Sequence, residues 1–372
     1  MYLSKIELKN FRNYRRINLK LDPNINIFIG NNAQGKTNIL ESIYVLALTK
    51  SHRYGVENNL IEKGYDSCTL KGCIKDNNKL KELQLQLDKN KKYFFINSKE
   101  VKKVSDYISN MKIIMFCPED LDIIKGSPLI RRNLLNIQLS QLFGNYVQYL
   151  NEFNKILKNR NEYLKMMAIN NYTDIRYLKI LNQKLCERAI KIYTYRNQYL
   201  NFINQKLSSI YEKITTTDGL KVVYENNIDI DSFDEKEIEN KYMLKLENNL
   251  KKEISQGTTL YGPHRDDFCF YFNDNNLRLF GSQGQQRMAI IAYKLAEIEI
   301  FKELLGTSPI LLLDDIFSEL DIQKRNKLLS YINDGIQSII TTTDLKNIRK
   351  SSIKDAKVFI VDNGKITEKE EK

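Results

Sequence analysis

The sequence predicts an α/β fold in which a phosphate-binding head is interrupted by a helical arm. Three observations predict it. A buried-strand pattern from Ile25 to Ile29 runs into Gly30-Asn31-Asn32-Ala33-Gln34-Gly35-Lys36-Thr37 and then into the apolar helix pattern Asn38 to Leu46. Far downstream, a second apolar run, Pro309 to Leu313, ends in Asp314 and Asp315. Between them, apolar residues from Phe143 to Ile203 recur at spacings of three and four, the period of long helices.

The whole chain sets limits on these readings. It has 372 residues, 42% of them hydrophobic, enough for one large domain or two to three lobes with a real core. The 58 Lys+Arg against 46 Asp+Glu give a net charge of +12, which favours a polyanion such as nucleic acid or an anionic membrane. The chain is also rich in Asn, Ile and Tyr, so part of the lysine excess reads as ordinary solvated surface. Cys68, Cys73, Cys117, Cys186 and Cys269 show no C-x-x-C spacing, which argues for reduced thiols in the cytosol and against a zinc site or disulfide framework. Neither a leader pattern nor a run of eighteen apolar residues is present, so the expected location is cytoplasmic, with no membrane partner.

In chain order, residues 1–29 read as three strands: Met1 to Leu8, Ile17 to Leu21, and Ile25 to Ile29 after the turn Asp22-Pro23-Asn24. Arg12 lies in the loop between the first two, where it is a candidate for the nucleotide phosphates. Residues 66–97 read as an antiparallel meander, with Leu83, Leu85 and Leu87 alternating with Gln84 and Gln86. Lys112 to Cys117 is a short buried strand. The stripe from Phe143 to Met167, the break at 170–174, and the stripe from Ile175 to Ile203 make a helical hairpin with a coiled-coil-like seam. Asn182 and Arg196 fall on that seam and Arg160 interrupts it, which would weaken a long coiled coil. Residues 218–225 read as a strand, 234–255 as a charged helix, and α/β character returns from about 256. The expected division is 1–125 for the N-terminal part of the head, 126–255 for the arm lobe, and 256–372 for the C-terminal part of the head.

The candidate site follows from elementary chemistry. Glycines let Gly30, Asn31, Asn32, Ala33, Gln34 and Gly35 fold tightly, so that backbone N–H groups point at a phosphate. Lys36 would reach the β- and γ-phosphates, and the Thr37 hydroxyl would hold Mg²⁺. The helix that follows turns its positive end to the anion. Asp314, at the end of a buried strand, is the second expected Mg²⁺ ligand, and Asp315 is placed to orient a water for attack. Gly281-Ser282-Gln283-Gly284 opens another helix, whose N-terminal end is again suited to an anion. With only His52 and His264 present, no histidine–carboxylate cluster for a nuclease is legible.

Ser282 to Gln286 resembles the signature motif of ATP-binding-cassette (ABC) ATPases, and Ser318-Glu319-Leu320-Asp321 resembles their D-loop. About 246 residues separate Lys36 from Ser282, a gap that holds the arm and resembles the chromosome-maintenance and DNA-repair branch. Within that branch the chain resembles the RecF family over essentially its full length. The likeness rests on Lys9 to Tyr14, Gly30 to Thr37, Pro118 to Leu121 with Gly126 to Pro128 and Arg131-Arg132, Tyr261 to Asp267, Ser282 to Arg287, and Leu312 to Asp321. For the run Gly262 to Asp267 the residues themselves give only a Gly-Pro turn leading into a strand.

The resemblance implies an ABC-type head using ATP and Mg²⁺. It implies an ATP-dependent homodimer whose composite sites take Ser282 and Gly284 from the second subunit, the Ser282 hydroxyl and the Gly284 N–H being the groups that bind a γ-phosphate. It further implies binding to junctions of double- and single-stranded DNA, and cooperation with RecO and RecR in loading the recombinase. Relatives with a full cassette carry Glu where Asp315 stands, and Thr341 to Thr343 offer no switch histidine, so slow hydrolysis is expected. The rival readings are a transport ATPase, opposed by the inserted arm, and a tether with a vestigial site, opposed by intact Lys36, Thr37 and Asp314.

Overall fold

The computed structural model describes residues 1–53, 59–76, 79–170, 174–332, 335–344 and 356–369. The chain opens with β1 (Tyr2–Phe11), β2 (Tyr14–Lys20), β3 (Ile25–Ile29) and α1 (Lys36–Leu48). The meander follows as β4 (Ser67–Asp76), β5 (Lys79–Asp88), β6 (Lys92–Ile96) and β7 (Lys99–Val101). Then come α2 (Val104–Ile108), β8 (Ile113–Phe116), α3 (Asp122–Lys125), α4 (Pro128–Leu142), α5 (Tyr146–Asn170) and α6 (Ile175–Thr215). Next are β9 (Leu220–Glu225), α7 (Glu235–Asn248), α8 (Leu250–Gln256), β10 (Asp267–Phe272), β11 (Asn275–Asn276), α9 (Leu277–Phe280) and α10 (Gln283–Leu305). The chain closes with β12 (Ile310–Asp314), α11 (Ile322–Ile332), β13 (Ser338–Thr342), β14 (Lys357–Asp362) and β15 (Lys365–Glu368).

These elements form two compact units, residues 1–120, 213–216 and 291–372 in one, 121–212 and 217–290 in the other. The first holds two sheets. One has the order β15-β14-β3-β13-β12-β8 and is parallel from β14 to β8. Its strands β12 and β8 are buried at every residue, without alternation, as expected of a parallel sheet. The other, β2-β1-β4-β5-β6-β7, is antiparallel and alternates buried with accessible residues along β4 and β5. Helix α1 lies between them, touching β12 and β13 of one and β1, β4 and β5 of the other. That position explains why α1 is buried on nearly every side from Ile39 to Leu48. The three strands expected in residues 1–29 and the meander are present. β3, however, leaves the sheet of β1 and β2 to become the centre of the parallel one.

The second unit is built on α5 and α6. Phe153, Leu164, Leu178, Leu185, Tyr199 and Ile203 are buried along them, as the stripe predicts. Of the expected break at 170–174, residues 171–173 lie outside the described residues. The polar interruptions behave differently from the expectation. Arg160 and Glu253 are fully buried and joined at 2.7 Å. Arg160 also donates to Asn182 Oδ1 at 2.6 Å and to Thr259 Oγ1 at 2.7 Å. The helices are therefore not a free two-stranded coil. Their seam faces α8 and the segment after it, where Arg160 meets Glu253 and Thr259, while Asn182 is satisfied across the seam by Arg160 itself.

Breaking such a pair strands a buried charge, which costs about 3–5 kcal/mol. Arg160→Leu is expected to lose that much stability in urea unfolding. Arg160→Leu/Glu253→Leu, which leaves no orphan carboxylate, is expected to recover most of it.

The run Gly262 to Asp267 ties this unit together. Gly262 has φ 124°, and a Cβ there would run into the Tyr242 hydroxyl. The Pro263 carbonyl accepts from Arg196 Nη1 at 2.6 Å. Asp266, buried, accepts from the Tyr224 hydroxyl at 2.8 Å and the Asn227 N–H at 2.9 Å. Both oxygens of Asp267 take the Arg131 guanidinium, at 2.6 and 2.7 Å. One six-residue run thus fixes α4, α6 and β9. It also shifts a boundary from the division 1–125, 126–255 and 256–372. Because β10 pairs with β9, residues 257–290 pack with the helices of the second unit.

Candidate nucleotide-binding site

The loop Gly30 to Gly35 leaves the end of β3, the strand flanked by β13 and β14. Gly30 passes so close to β14 that a Cβ would run into the Val361 carbonyl oxygen. Gly35 turns the chain into α1 at φ 112°, where a Cβ would stand 2.9 Å from the Tyr14 hydroxyl. That hydroxyl donates to the Gly35 carbonyl at 2.9 Å. Gln34 is held from two sides. Its carbonyl accepts from Asn13 Nδ2 at 3.3 Å, and its Oε1 accepts from the Asn363 N–H at 2.6 Å.

Gly35 offers no side chain to cap α1, and the first turn holds no acidic residue. The positive end of the helix is therefore left to an external anion. The Lys36 ammonium is buried at the loop, donating to the Gly30 carbonyl at 2.7 Å and the Asn31 carbonyl at 2.8 Å. Burial draws its pKa down, and the nearby charges of Asp315 and Asp314 oppose that.

Thr37 and Asp314, distant in sequence, meet here. The Thr37 hydroxyl donates to Asp314 Oδ1 at 3.1 Å, and the Thr341 hydroxyl donates to the same oxygen at 2.6 Å. Burial pushes the Asp314 carboxyl above its usual range, against the pull of both hydroxyls. A hydroxyl and a carboxylate side by side are hard oxygen donors, which fits a magnesium ion that retains several waters. Thr341 carries no local sequence signal for this contact, which comes from the parallel pairing that sets it opposite Asp314.

Asp315 adopts φ 46°, a left-handed conformation uncommon outside glycine. Its N–H donates to Thr341 Oγ1 at 3.1 Å. Its Oδ1 is buried with no hydrogen-bond partner among the described residues. A strained backbone aiming an unsatisfied carboxylate oxygen leaves an acceptor free for a water.

Arg12, expected at the phosphates, is engaged elsewhere in this structure. Its guanidinium forms two bonds to Glu41 of α1, at 2.9 and 2.6 Å, and a third to the Asn59 carbonyl at 2.9 Å. Glu41 is fully buried. Burial alone would raise its carboxyl, but Arg12, Ser51 and Arg53 outweigh that and hold it below its ordinary value. The turn Asn10 to Tyr14 thus braces the P-loop helix. His52 packs its ring edge-on to Tyr44, and burial pushes its pKa down to about 4, so it stays neutral near pH 7.

The signature residues belong to the second unit. Ser282 precedes α10 and forms a reciprocal cap: its Oγ accepts from the Gln285 N–H at 3.2 Å, and its N–H donates to Gln285 Oε1 at 2.9 Å. A Cβ at Gly284 would meet nothing nearer than Ser282 Oγ at 3.9 Å, so internal packing does not demand glycine there. Leu279 and Phe280, just before the motif, are 72% and 73% exposed. In the D-loop Ser318 is exposed, Asp321 caps α11 through the Lys324 N–H at 2.9 Å, and Ile322 is 67% exposed.

The family model described as RecF/RecN/SMC N terminal domain matches residues 2–367. The DNA replication and repair protein RecF of Lactobacillus johnsonii is 41% identical over 373 residues, all of both chains. The protein of the same name from Ligilactobacillus salivarius is 39% identical, covering 99% of this chain and 98% of its own. Among solved structures, one of the recombination mediator protein RecF with ATP, described as in the RecFOR pathway, superposes with a TM-score of 0.92 at 30% identity, covering 99% of this chain and 98% of that one. An Smc head bound to a winged-helix domain of ScpA shares the fold, with a TM-score of 0.55 at 15% identity over 99% of this chain and 98% of that one.

Proposed function

The chain belongs to the RecF family, within the RecF/RecN/SMC N-terminal-domain group, and from that premise we propose that it is an ATP-dependent DNA-binding protein of replication and repair. The observation that carries the reading is the junction of Thr37, Asp314 and Lys36 at an uncapped helix end, together with an exposed Ser282–Gly284 helix start.

In this reading the loop amides and Lys36 hold the β- and γ-phosphates of ATP. Thr37 and Asp314 hold Mg²⁺, which offsets charge on those phosphates. Ser282 and Gly284 from a second copy complete the site at the γ-phosphate. The exposed Leu279, Phe280 and Ile322 are then covered by that copy. Asp315 orients the attacking water through its unsatisfied oxygen. It is one methylene shorter than the usual Glu and has no histidine neighbour at 341–343, so turnover is slow and ATP acts mainly as a clamp. Gapped or junction DNA is the ligand of the closed dimer, hydrolysis releases it, and RecR and RecO are its partners in loading the recombinase.

We place this work in the cytoplasm. Among the described residues no helix is long and apolar enough to cross a membrane. A transport or tethering role finds no specific support in the site.

The reading is tested by fluorescence anisotropy of a labelled gapped duplex with and without ATP and Mg²⁺. Binding is expected to need ATP. Its affinity is expected to fall about a hundredfold between 50 and 200 mM salt if about four phosphates are contacted. Binding that ignores both ATP and salt would overturn it.

A further inference from the structure

The outer face of the antiparallel sheet β2-β1-β4-β5-β6-β7 carries ordered chemistry that the ATP site does not use. Residues in register across neighbouring strands share a face. One row reads Arg16, Lys9, Thr69, Gln86, Tyr93 from β2 to β6. It spans four strand spacings, about 19 Å. Lys9 and Arg16 are exposed at one end, and neither is paired among the described residues. At the other end Tyr93 is half-buried, and Phe95, two residues on and about 7 Å away, stands on the same face opposite Gln84.

The other face of these strands is the packed one. Leu70, Leu83, Leu85 and Phe94 are buried, and α1 lies there, so close that a Cβ on Gly72 would be 2.6 Å from Leu46. Tyr93 and Phe95 therefore play no part in that core, and their neighbours are Gln86, Gln84 and Glu100. Of the outer acids, Glu7 and Glu82 are paired with Lys5 and Lys71, whereas among the described residues Asp88 on β5 and Glu100 on β7 make no ion pair; Lys9, Arg16 and Lys20 on β1 and β2, with Lys75 on β4, are the cations of this face without one. Glu100 beside Phe95 gives the face a polarity: phosphates suit the β1–β2 end and uncharged rings suit the β6 end.

We propose that this face is a stacking platform for single-stranded DNA, with phosphates on Lys9, Arg16 and Lys20 and base faces on Tyr93 and Phe95. The proposal rests on the DNA-binding reading above and adds the part of a gapped substrate that is read. A duplex keeps its bases inside the stack and offers no ring face to an aromatic side chain, whereas every unpaired base does. The cations attract both forms, and the rings select the single strand.

The test uses the full chain with saturating ATP and Mg²⁺, and the anisotropy of labelled dT20, U20 and a 20-base-pair duplex. Tyr93→Ala is expected to weaken dT20 binding roughly tenfold or more, with duplex affinity held within twofold. Tyr93→Phe is expected to restore the parent value, since the hydroxyl plays no part. Lys9→Gln is expected to weaken both DNA forms alike and to reduce the salt slope by about one. Nucleotide affinity equal to the parent's shows that each variant is folded, and Tyr93→Thr, a strand-compatible residue, serves if alanine disturbs β6. The platform is overturned if Tyr93→Ala and Tyr93→Thr bind dT20 as the parent does, or lose dT20 and duplex equally. Tighter binding of U20 than dT20 overturns the assignment to DNA. A parent chain that binds none of the three overturns the DNA-binding reading itself, and the platform with it.

Discussion

Lys36→Ala is expected to abolish ATP-driven association and to weaken ATP binding by two or more orders of magnitude. The ammonium is the one cation buried in the loop, held by the Gly30 and Asn31 carbonyls at the mouth of α1. A hydrogen bond to a charged group contributes about 1.5–3 kcal/mol. Two such bonds to phosphate oxygens, lost together, amount to at least about a hundredfold in affinity. The fold itself is expected to survive. Alanine is the best helix former, and burial already disfavours the ammonium at this position. Calorimetric titration with ATP and thermal melting, done side by side, check both halves. A variant that melts like the parent and binds ATP equally well would contradict the assignment of Lys36.

Ser282→Arg has an equally large expected effect, on a different quantity. The side chain is exposed and caps α10 through the Gln285 N–H. Losing that cap costs about 1 kcal/mol, too little to unfold the chain. In the composite-site account Ser282 instead meets the γ-phosphate held by another copy, where an arginine is too large for the helix start to close. ATP binding is expected within twofold of the parent, while the dimer formed with ATP disappears in sedimentation. If Ser282→Arg still dimerises with ATP, the composite site is wrong.

Much of the head was legible because its signals are local. A strand, a glycine-rich turn and a helix stand next to each other from Ile25 to Leu48, and alternation marks the meander. What was not legible depends on partners brought together from afar. Thr341 reaches Asp314 only through the parallel register of β13 with β12. Arg12 looked free because Glu41 becomes its neighbour only once α1 is packed. Arg160 looked like a defect in a coil because Glu253 and Thr259 lie almost a hundred residues away in the chain, and Asn182 looked like one because its partner is Arg160 itself. The run Gly262 to Asp267 gave no chemistry for the same reason, since its partners come from α4, α6 and β9. Asp315 was legible as a candidate, but its left-handed backbone and unsatisfied oxygen were not.

The central claim is that each ATP is shared by two copies, Lys36 from one and Ser282 from the other. Mixing the Lys36→Ala and Ser282→Arg chains tests it most directly, by ATP turnover on gapped DNA. Each is expected to be inactive alone. In a mixed dimer one site gathers both defects, and the other has an intact Lys36 facing an intact Ser282, so turnover is expected to reappear on mixing. A mixture no more active than the two chains measured separately would contradict the shared site.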